Sequence, residues 1–364
     1  MSEMREKLII VSSILVLAGL VRADKYAGEF MYIGAGARAL AMGGTFTALA
    51  DDATAGYWNP AGLVHLKGRQ AQLMHSERFG GLISYDYLSY AGSMGGSSVG
   101  ASLFRTDAGD VANTTRLDFY DTGSDGVFGE DGTGEPGDAG NDDYDPETNP
   151  EGTEGNGQWD PGEELIYDEG RITYQSCVDW ALYLSWSRNF LENFSAGSSV
   201  KLIRRGIMDH SAWGMGLDLG AQWRPSEVLS TGITVQDVFG TYLFYDNGHS
   251  ETVTPTVKLG LATTWPIRRF GSSITFSMDG DFRFEGRRAT SQYHLGGMSL
   301  DTHLGLEILI KDAVGLRLGS SEGSMTAGLG LTIGLMGHPV SVDYAFLGHE
   351  ELDNTHRVSL GVGF

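Results

Sequence analysis

The feature that most constrains the fold is an alternation of apolar and polar residues that continues to the last residue of the chain. In 339–347 and 355–364 one row of side chains is largely apolar, while the other holds small or charged residues. A period of two is typical of β-strands with one apolar and one wet face. Fourteen segments are predicted as strands. They are 70–78, 82–92, 97–106, 178–188, 194–204, 211–223, 229–238, 253–263, 273–284, 302–310, 313–319, 325–333, 339–347 and 355–364.

Charged residues avoid the apolar rows. The apolar rows include Trp180, Leu182, Leu184 and Trp186; Trp213, Met215, Leu217, Leu219, Ala221 and Trp223; Val253, Val257, Leu259 and Leu261; and Leu304, Leu306, Ile308 and Ile310. The opposite rows carry Asp179, Lys201, Asp218, Lys258, Asp279, Asp281, Arg283, Glu307, Arg317 and Asp343. Because a Lys or Arg facing lipid near the bilayer midplane costs ~2–4 kcal/mol, this segregation is expected of strands whose apolar side meets lipid and whose charged side meets water.

The pattern predicts an all-β fold, a transmembrane antiparallel β-barrel of about 14 strands spanning 70–364. A soluble β-sandwich also alternates and is the alternative. Strand lengths near ten residues, the even strand count, and Trp and Tyr near strand ends favour the barrel.

The N-terminus predicts export. Arg5 and Lys7 precede an apolar run over 8–21, and Ala23 ends a short cleavage motif. Residues 1–23 are therefore interpreted as a signal peptide, since the run is shorter than the ~20 residues of a membrane anchor. The predicted location is a bacterial outer membrane after cleavage near Ala23.

Residues 24–69 do not alternate and are rich in small residues, which predicts short helical turns joined by glycines such as Gly43 and Gly44. Asp51 or Asp52 is expected to cap a helical turn that begins at Ala53. A compact hatch inside the barrel lumen accounts for this composition better than a strand does.

Asn59 and Pro60 are the residues expected to matter most in the hatch. Proline fixes φ and ends the preceding turn, and asparagine can cap the freed backbone groups. The hatch is either a gate that moves or a static plug, and the sequence supports both readings.

An acidic insertion at 119–172 interrupts the strand pattern. Its core, 121–170, contains 17 of the 47 Asp and Glu residues and no Lys or Arg. Oxygen-bearing residues and glycines are spaced there somewhat as in calcium loops. The candidate calcium ligands are Asp121, Asp125, Asp131, Asn156, Asp160 and Glu163. The alternative is a solvated acidic loop without a metal ion.

Other features exclude function classes. Nucleic acid is not expected as a partner, because the formal net charge is -22 and phosphate binding needs a basic face. Cys177 is the only cysteine, so no intramolecular disulfide can form. The Gly-x-Ser-x-Gly matches at 96–100 and 319–323 lie in Gly-rich strand pattern with no helix following, so neither predicts a catalytic serine. No enzyme activity and no catalytic residue are predicted.

The segments 30–44, 50–54 and 58–63, together with 343–364, resemble the PorV/PorQ family of outer-membrane proteins, which are related to the FadL long-chain fatty-acid transporters. The resemblance implies a fourteen-stranded barrel with an N-terminal hatch. The terminal Phe364 and its alternating approach also resemble the signal that the barrel-assembly machinery reads. The acidic insertion departs from the family pattern.

Two functions follow from the resemblance. A PorV-like protein would be an accessory of type IX secretion that engages exported proteins carrying a C-terminal sorting domain. A FadL-like protein would let long-chain fatty acids or other hydrophobic molecules cross the outer membrane passively. The expected partners are therefore outer-membrane lipid, the barrel-assembly machinery, and either secreted proteins or hydrophobic small molecules.

Overall fold

The structure is a computed structural model that describes residues 28–78, 80–123, 144–287, 291–348 and 354–364. The predicted signal peptide, 1–23, lies outside these residues. Fourteen wall strands follow one another along the chain. They are β1 (Arg69–Arg78), β2 (Ile83–Met94), β3 (Ser97–Asn113), β4 (Thr173–Leu191), β5 (Phe194–Ile207), β6 (His210–Trp223), β7 (Leu229–Gln236 and Thr241–Tyr245), β8 (Ser250–Val253 and Thr256–Ile267), β9 (Ser272–Arg283), β10 (Met298–Ile310), β11 (Val314–Ser321), β12 (Ser324–Leu335), β13 (His338–Leu347) and β14 (Thr355–Gly363).

The strands close into an antiparallel barrel. The last strand, β14, pairs with β1 in a register that sets Gly363 opposite Gln70 and Leu360 opposite Leu73. This confirms the predicted fourteen-stranded barrel, and closure removes the free edges on which an open sheet could aggregate. We call the rim where β1 begins the turn end, because its connections have two to five residues. The opposite rim is the loop end.

The two faces of the wall differ as the alternation predicts. Trp213 and Met215 are each 60% exposed on the outside, while Lys201 and Asp218 of neighbouring strands are 2% and 1% exposed on the inside. The inner row is buried because a hatch fills the lumen, so at this level charged and polar groups meet protein and not water. That corrects the expectation of a wet inner face.

The wall is interrupted at one level in two adjacent strands. In β7 residues 237–240 separate the two halves, and in β8 residues 254–255 do so. The halves of β7 pair with β6 in registers that differ by three residues, since Val235 lies opposite Leu219 but Tyr242 lies opposite Met215. A sequence prediction of one continuous strand over 229–238 is therefore wrong at its end, and Val253, expected on the outer face, is 2% exposed.

The hatch consists of short helices. These are a 3-10 turn at Glu29–Tyr32, α1 at Ala37–Ala41, α2 at Ala55–Trp58 and a 3-10 helix at Pro60–His65. Most of their side chains are buried. In the described part of the chain, none of the helices has the length and apolar character needed to span a membrane.

Residues 109–175 form a second compact unit. Two short strands, Asp118–Phe119 and Leu165–Ile166, pair with each other within it. Arg171 contacts Asp118 at 2.5 Å, and both side chains are about half exposed. An exposed pair of this kind contributes ~0–1 kcal/mol, so this ion pair adds little to the stability of the unit. Its acidic composition determines its charge.

Candidate functional site

The hatch is held by side chains of the inner wall row that bond its backbone. The N–H of Ala37 donates to Ser359 Oγ at 2.8 Å, and that of Thr47 donates to Asp279 at 2.9 Å. In the other direction, Ser199 Oγ donates to the carbonyl of Gly56 at 2.7 Å. Short helices leave many backbone groups without internal partners, and burial requires that each finds one. The polar inner row supplies these partners.

Glycines of the wall let the hatch backbone approach the sheet closely. A Cβ at Gly220 would lie 2.1 Å from Asn59 Oδ1, and a Cβ at Gly232 would lie 2.2 Å from the carbonyl oxygen of Thr47. The glycines that would meet the hatch in this way are Gly197, Gly220, Gly232, Gly260, Gly305, Gly319 and Gly328. We call this set the docking glycines. A larger residue at these positions would push the hatch off the wall.

Asn59 is fully buried and joins three parts of the site. Its Nδ2 donates to the carbonyl of Thr47 at 2.8 Å and to that of Ala221 in β6 at 3.2 Å. Its Oδ1 accepts from the N–H of Ala61 at 3.1 Å, which caps the helix that begins at Pro60. The hatch segment is thereby fixed to itself and to the wall through one amide.

Gly43 and Gly44 lie in the turn after α1, with φ values of 70° and 82°. This left-handed conformation favours glycine. The carbonyl of Gly43 accepts from His303 Nδ1 at 2.8 Å. These two residues thus form a turn of the hatch that contacts the wall.

Asp51 and Asp52 lie at the turn end of the hatch. Asp52 Oδ1 accepts from the N–H of Thr54 at 2.8 Å, just before α2, while Asp51 pairs with Arg38 at 2.7 Å. Burial raises the pKa of Asp52 against the opposing effect of the Arg38 guanidinium. Arg38 also reaches Glu307 of β10 at 3.1 Å, so this ion cluster ties the hatch to the wall.

Aromatic side chains fill the contact between the hatch and strands β2, β3 and β4. The ring of Tyr57 in α2 lies 5.1 Å from that of Phe104 and 6.0 Å from that of Tyr183. Tyr85 and Tyr87 flank Phe104 at 5.9 and 4.7 Å. We call these five side chains the aromatic cluster. All five are buried, although the four wall residues belong to the row that is polar elsewhere in the barrel.

A buried ion network lies at the interruption of the wall. Lys201 Nζ contacts Asp218 at 2.9 Å and also contacts Asp237, the first residue of the break in β7. Asp237 has φ of 55° and donates its N–H to Asp218 at 2.8 Å. The hydroxyl of Tyr32 in the hatch donates to Asp237 at 3.3 Å. The hatch is therefore coupled directly to the point at which the wall is discontinuous.

Two polar chambers flank the hatch. The turn-end chamber, of about 380 Å³, lies among Arg38, Asp52, Glu307 and Arg317. Burial lowers the pKa of His65, which also lines it, to about 4, so this imidazole is neutral at neutral pH. The loop-end chamber, of about 580 Å³, lies between the hatch and strands β1, β9, β11, β12, β13 and β14.

The candidate calcium ligands in the described part of the insertion bond backbone groups. Asp121 accepts N–H bonds from Gly155 at 2.7 Å and from Gly157 at 2.8 Å. Glu163 accepts from Gly123 and Asp160, at 3.1 and 2.8 Å.

The other candidate ligands divide between described and undescribed residues. Asn156 donates to Asp160 at 2.7 Å. Asp125 and Asp131 lie outside the described residues. Within the described residues no three His, Cys, Asp or Glu side chains converge as a metal site. Calcium binding stays a prediction.

Phe364 closes the barrel ladder at the turn end. Its N–H donates to the carbonyl of Arg69 at 2.8 Å, and its carbonyl accepts from the N–H of Arg69 at 3.2 Å. The side chain remains 60% exposed. Its role as an assembly signal stays a prediction.

Sequence reasoning missed the aromatic cluster and the Lys201 network. A signal for the cluster was present, because Tyr85, Tyr87, Phe104 and Tyr183 stand in rows that otherwise hold small and polar residues. The two carboxylate partners of Lys201 come from β6 and from the break in β7, and no sequence spacing indicates such a contact.

Comparisons with known proteins agree with this architecture. Residues 20–117 match the model of an uncharacterised protein family, UPF0164. No curated protein matches the chain.

Similar solved structures include two of the toluene transporter TodX of Pseudomonas putida. Each is 13% identical, with 90% of this chain and 97% of the other covered, at TM-scores of 0.53 and 0.50. A FadL homologue of Pseudomonas aeruginosa is 11% identical, with 88% and 95% covered, at a TM-score of 0.45. The chain thus shares its overall fold with the TodX barrels.

Proposed function

We propose that this protein is a passive outer-membrane channel for hydrophobic small molecules, with the hatch as its gate. The observation that carries the proposal is the aromatic cluster. Porin-like lumens present polar side chains to water, whereas here Phe104 and Tyr183 face inward and pack on Tyr57 of the hatch, and Tyr85 packs on Phe104. If the hatch moves, these rings become the apolar wall of a path.

The interruption in β7 and β8 supports an exit through the wall. At this level the ladder between β6 and β7 changes register by three residues, so regular strand pairing is lost. Tyr32 of the hatch bonds Asp237 at the break, and Val253 beside the second break packs against Gly28. Movement of the hatch would therefore change the packing at the breaks in β7 and β8 and would also expose the aromatic cluster.

The TodX structures support the same class of function, since they are described as toluene transporters. The similarity concerns the fold, and an uptake experiment is needed to identify the transported molecule. The apolar outer face of the barrel supports an outer-membrane location.

Uptake by vesicles tests the proposal. Purified full-length protein is reconstituted into vesicles whose outer leaflet is lipopolysaccharide, which slows the entry of apolar molecules, and the rate at which radiolabelled toluene enters is measured against the same vesicles without protein. We expect faster entry for the wild type, a several-fold loss for Phe104→Gln, and no loss for Phe244→Gln, since Phe244 is 62% exposed on the outer face. Entry at the rate of empty vesicles would refute the channel.

A second candidate is the secretion accessory that the PorV/PorQ resemblance implies. The observation that favours it is that both chambers beside the hatch are polar. Affinity capture with the tagged barrel from a native outer-membrane extract would test it. Recovery of proteins with a C-terminal sorting domain supports this role, and their absence together with toluene uptake supports the channel.

A further inference from the structure

Two adjacent turns at the turn end carry basic side chains beside exposed apolar ones. The first is the 3-10 turn Arg268–Phe270, which joins β8 to β9. The second, at 311–313, joins β10 to β11. The N–H of Lys311 donates to Ser272 Oγ at 3.2 Å, and a Cβ at Gly271 would lie 3.9 Å from Lys311 Cα. The two turns therefore form one continuous surface.

Two of the three cations on this surface have no carboxylate partner. Arg268 pairs at 2.6 Å with Glu227, which belongs to the connection between β6 and β7, and this pair is balanced. Among the residues that the structure describes, no carboxylate lies within ion-pair distance of Arg269 or Lys311. Asp312 follows Lys311 in sequence, but it lines the turn-end chamber on the inner side of the rim. The outer side of the two turns therefore carries excess positive charge.

These cations border the apolar outer face of the wall. Trp265 of β8 and Ile310 at the end of β10 are both exposed on that face. Phe270 is also exposed, and the guanidinium carbon of Arg269 lies 5.7 Å from the centre of its ring. In a barrel that spans a bilayer, aromatic rings mark the level at which hydrocarbon meets the headgroups. Arg269 and Lys311 lie just beyond that level.

A phospholipid with a net negative headgroup matches both parts of this surface. Its phosphate oxygens accept charge-assisted hydrogen bonds from guanidinium and ammonium groups, and its acyl chains lie along apolar side chains such as Trp265 and Ile310. A zwitterionic lipid fits less well, because its own cation would lie close to Arg269 and Lys311.

We propose that Arg269, Phe270 and Lys311 form a binding site for an anionic phospholipid of the leaflet at the turn end. We call these three residues the basic patch. Arg269 and Lys311 contact the phosphate, and the acyl chains run along the adjacent outer wall. The proposal is independent of the channel function, since neither the hatch nor the aromatic cluster takes part in it.

Native mass spectrometry of the full-length barrel in detergent tests the site, because it resolves the binding of single lipid molecules. The probes are dioleoyl phosphatidylglycerol, which carries a net charge, and dioleoyl phosphatidylcholine, which is neutral overall and has the same acyl chains. A Lys or Arg close to an anionic membrane surface strengthens binding about fivefold, so we expect the wild type to prefer phosphatidylglycerol by about tenfold or more.

The double variant Arg269→Gln/Lys311→Gln should lose most of this preference, whereas the charge-conserving variant Arg269→Lys/Lys311→Arg should keep it. The matched control, Arg116→Gln/Arg204→Gln, removes two exposed cations outside these turns and should also keep the preference. Equal affinity for the two lipids in the wild type would overturn the proposal. An unchanged preference in the double glutamine variant would do the same.

Inorganic phosphate tests whether the lipid part matters. If phosphate at equal concentration displaces phosphatidylglycerol, the patch is a general anion site and the lipid assignment is wrong, whereas failure to compete supports it. The fold of each variant is checked by heat-dependent migration on gels. If the glutamine variant does not fold, the salt dependence in the wild type decides, since a preference that added salt does not weaken would overturn the electrostatic assignment.

The lipid site and the channel are tested by separate measurements. Toluene uptake with equal affinity for both lipids would refute only the lipid site, and a preference for phosphatidylglycerol without toluene uptake would refute only the channel.

Discussion

Asn59→Ala should loosen the hatch without unfolding the barrel. The substitution removes the bond from Nδ2 to Thr47 and the cap that Oδ1 provides to the N–H of Ala61. Losing a cap costs about 0.5–2 kcal/mol, and losing a buried hydrogen bond about 0.5–1.5 kcal/mol. The wall strands should keep the backbone hydrogen bonds that pair them, because β6, which contains Ala221, remains paired with its neighbour.

The two losses add up to about 2 kcal/mol in the free energy of hatch docking. That corresponds to a roughly 30-fold increase in the fraction of molecules whose hatch is detached from the wall. When opening and closing are faster than cleavage, the rate of proteolysis follows this fraction. The rate of cleavage inside the hatch is therefore the quantity to measure.

Trypsin cleavage after Arg38 is a suitable readout, since this residue lies in the hatch and far in sequence from the substitution. The peptide that ends at Arg38 is quantified over time by mass spectrometry for wild type, Asn59→Ala and Asn193→Ala. Asn193 is an exposed residue of a turn and serves as the control. An unchanged cleavage rate in Asn59→Ala, with the wild-type melting temperature, would refute the argument that this amide holds the hatch.

Three further predictions concern the docking glycines, the Lys201 network and the acidic insertion. Gly220→Ala should destabilise hatch docking by about 1–3 kcal/mol, because the added Cβ would overlap Asn59. Gly334→Ala should have no effect, since no atom lies within 4 Å of the added Cβ. The rate of trypsin cleavage in the hatch measures both effects. Lys201→Met leaves two buried carboxylates, one of them Asp237, without their ammonium, so we expect a loss of about 3–5 kcal/mol in stability, seen as a lower melting temperature of the β-sheet signal in circular dichroism. Calcium added to the chelated full-length protein should give saturable binding heat if the acidic insertion holds the ion, and a flat titration would leave the solvated-loop reading.

The wall of the barrel could be predicted from sequence because strand periodicity is a local signal. Each row consists of every second residue of one segment, and the apolar row contains no charged residues. The same signal failed at Val253. Its side chain turns toward the hatch beside the break at 254–255, and this change of direction depends on pairing with β7, which alternation does not encode.

The hatch could be predicted in outline but its contacts could not. Small residues and glycines indicate a compact segment, and a proline preceded by asparagine indicates a helix start. Which wall groups meet it depends on contacts across long sequence separations, such as Asn59 with Ala221. Tyr85 and Phe104 face inward, so the inner row is not uniformly polar. A prediction of a uniformly wet inner row therefore misses the part of the lumen most relevant to the proposed function.

The docking glycines come from seven different strands, β5 through β12 with β9 excepted. A surface assembled from so many separate segments has no counterpart in any hairpin of the nascent chain. The hatch therefore cannot take its final place until these seven strands have assembled around it.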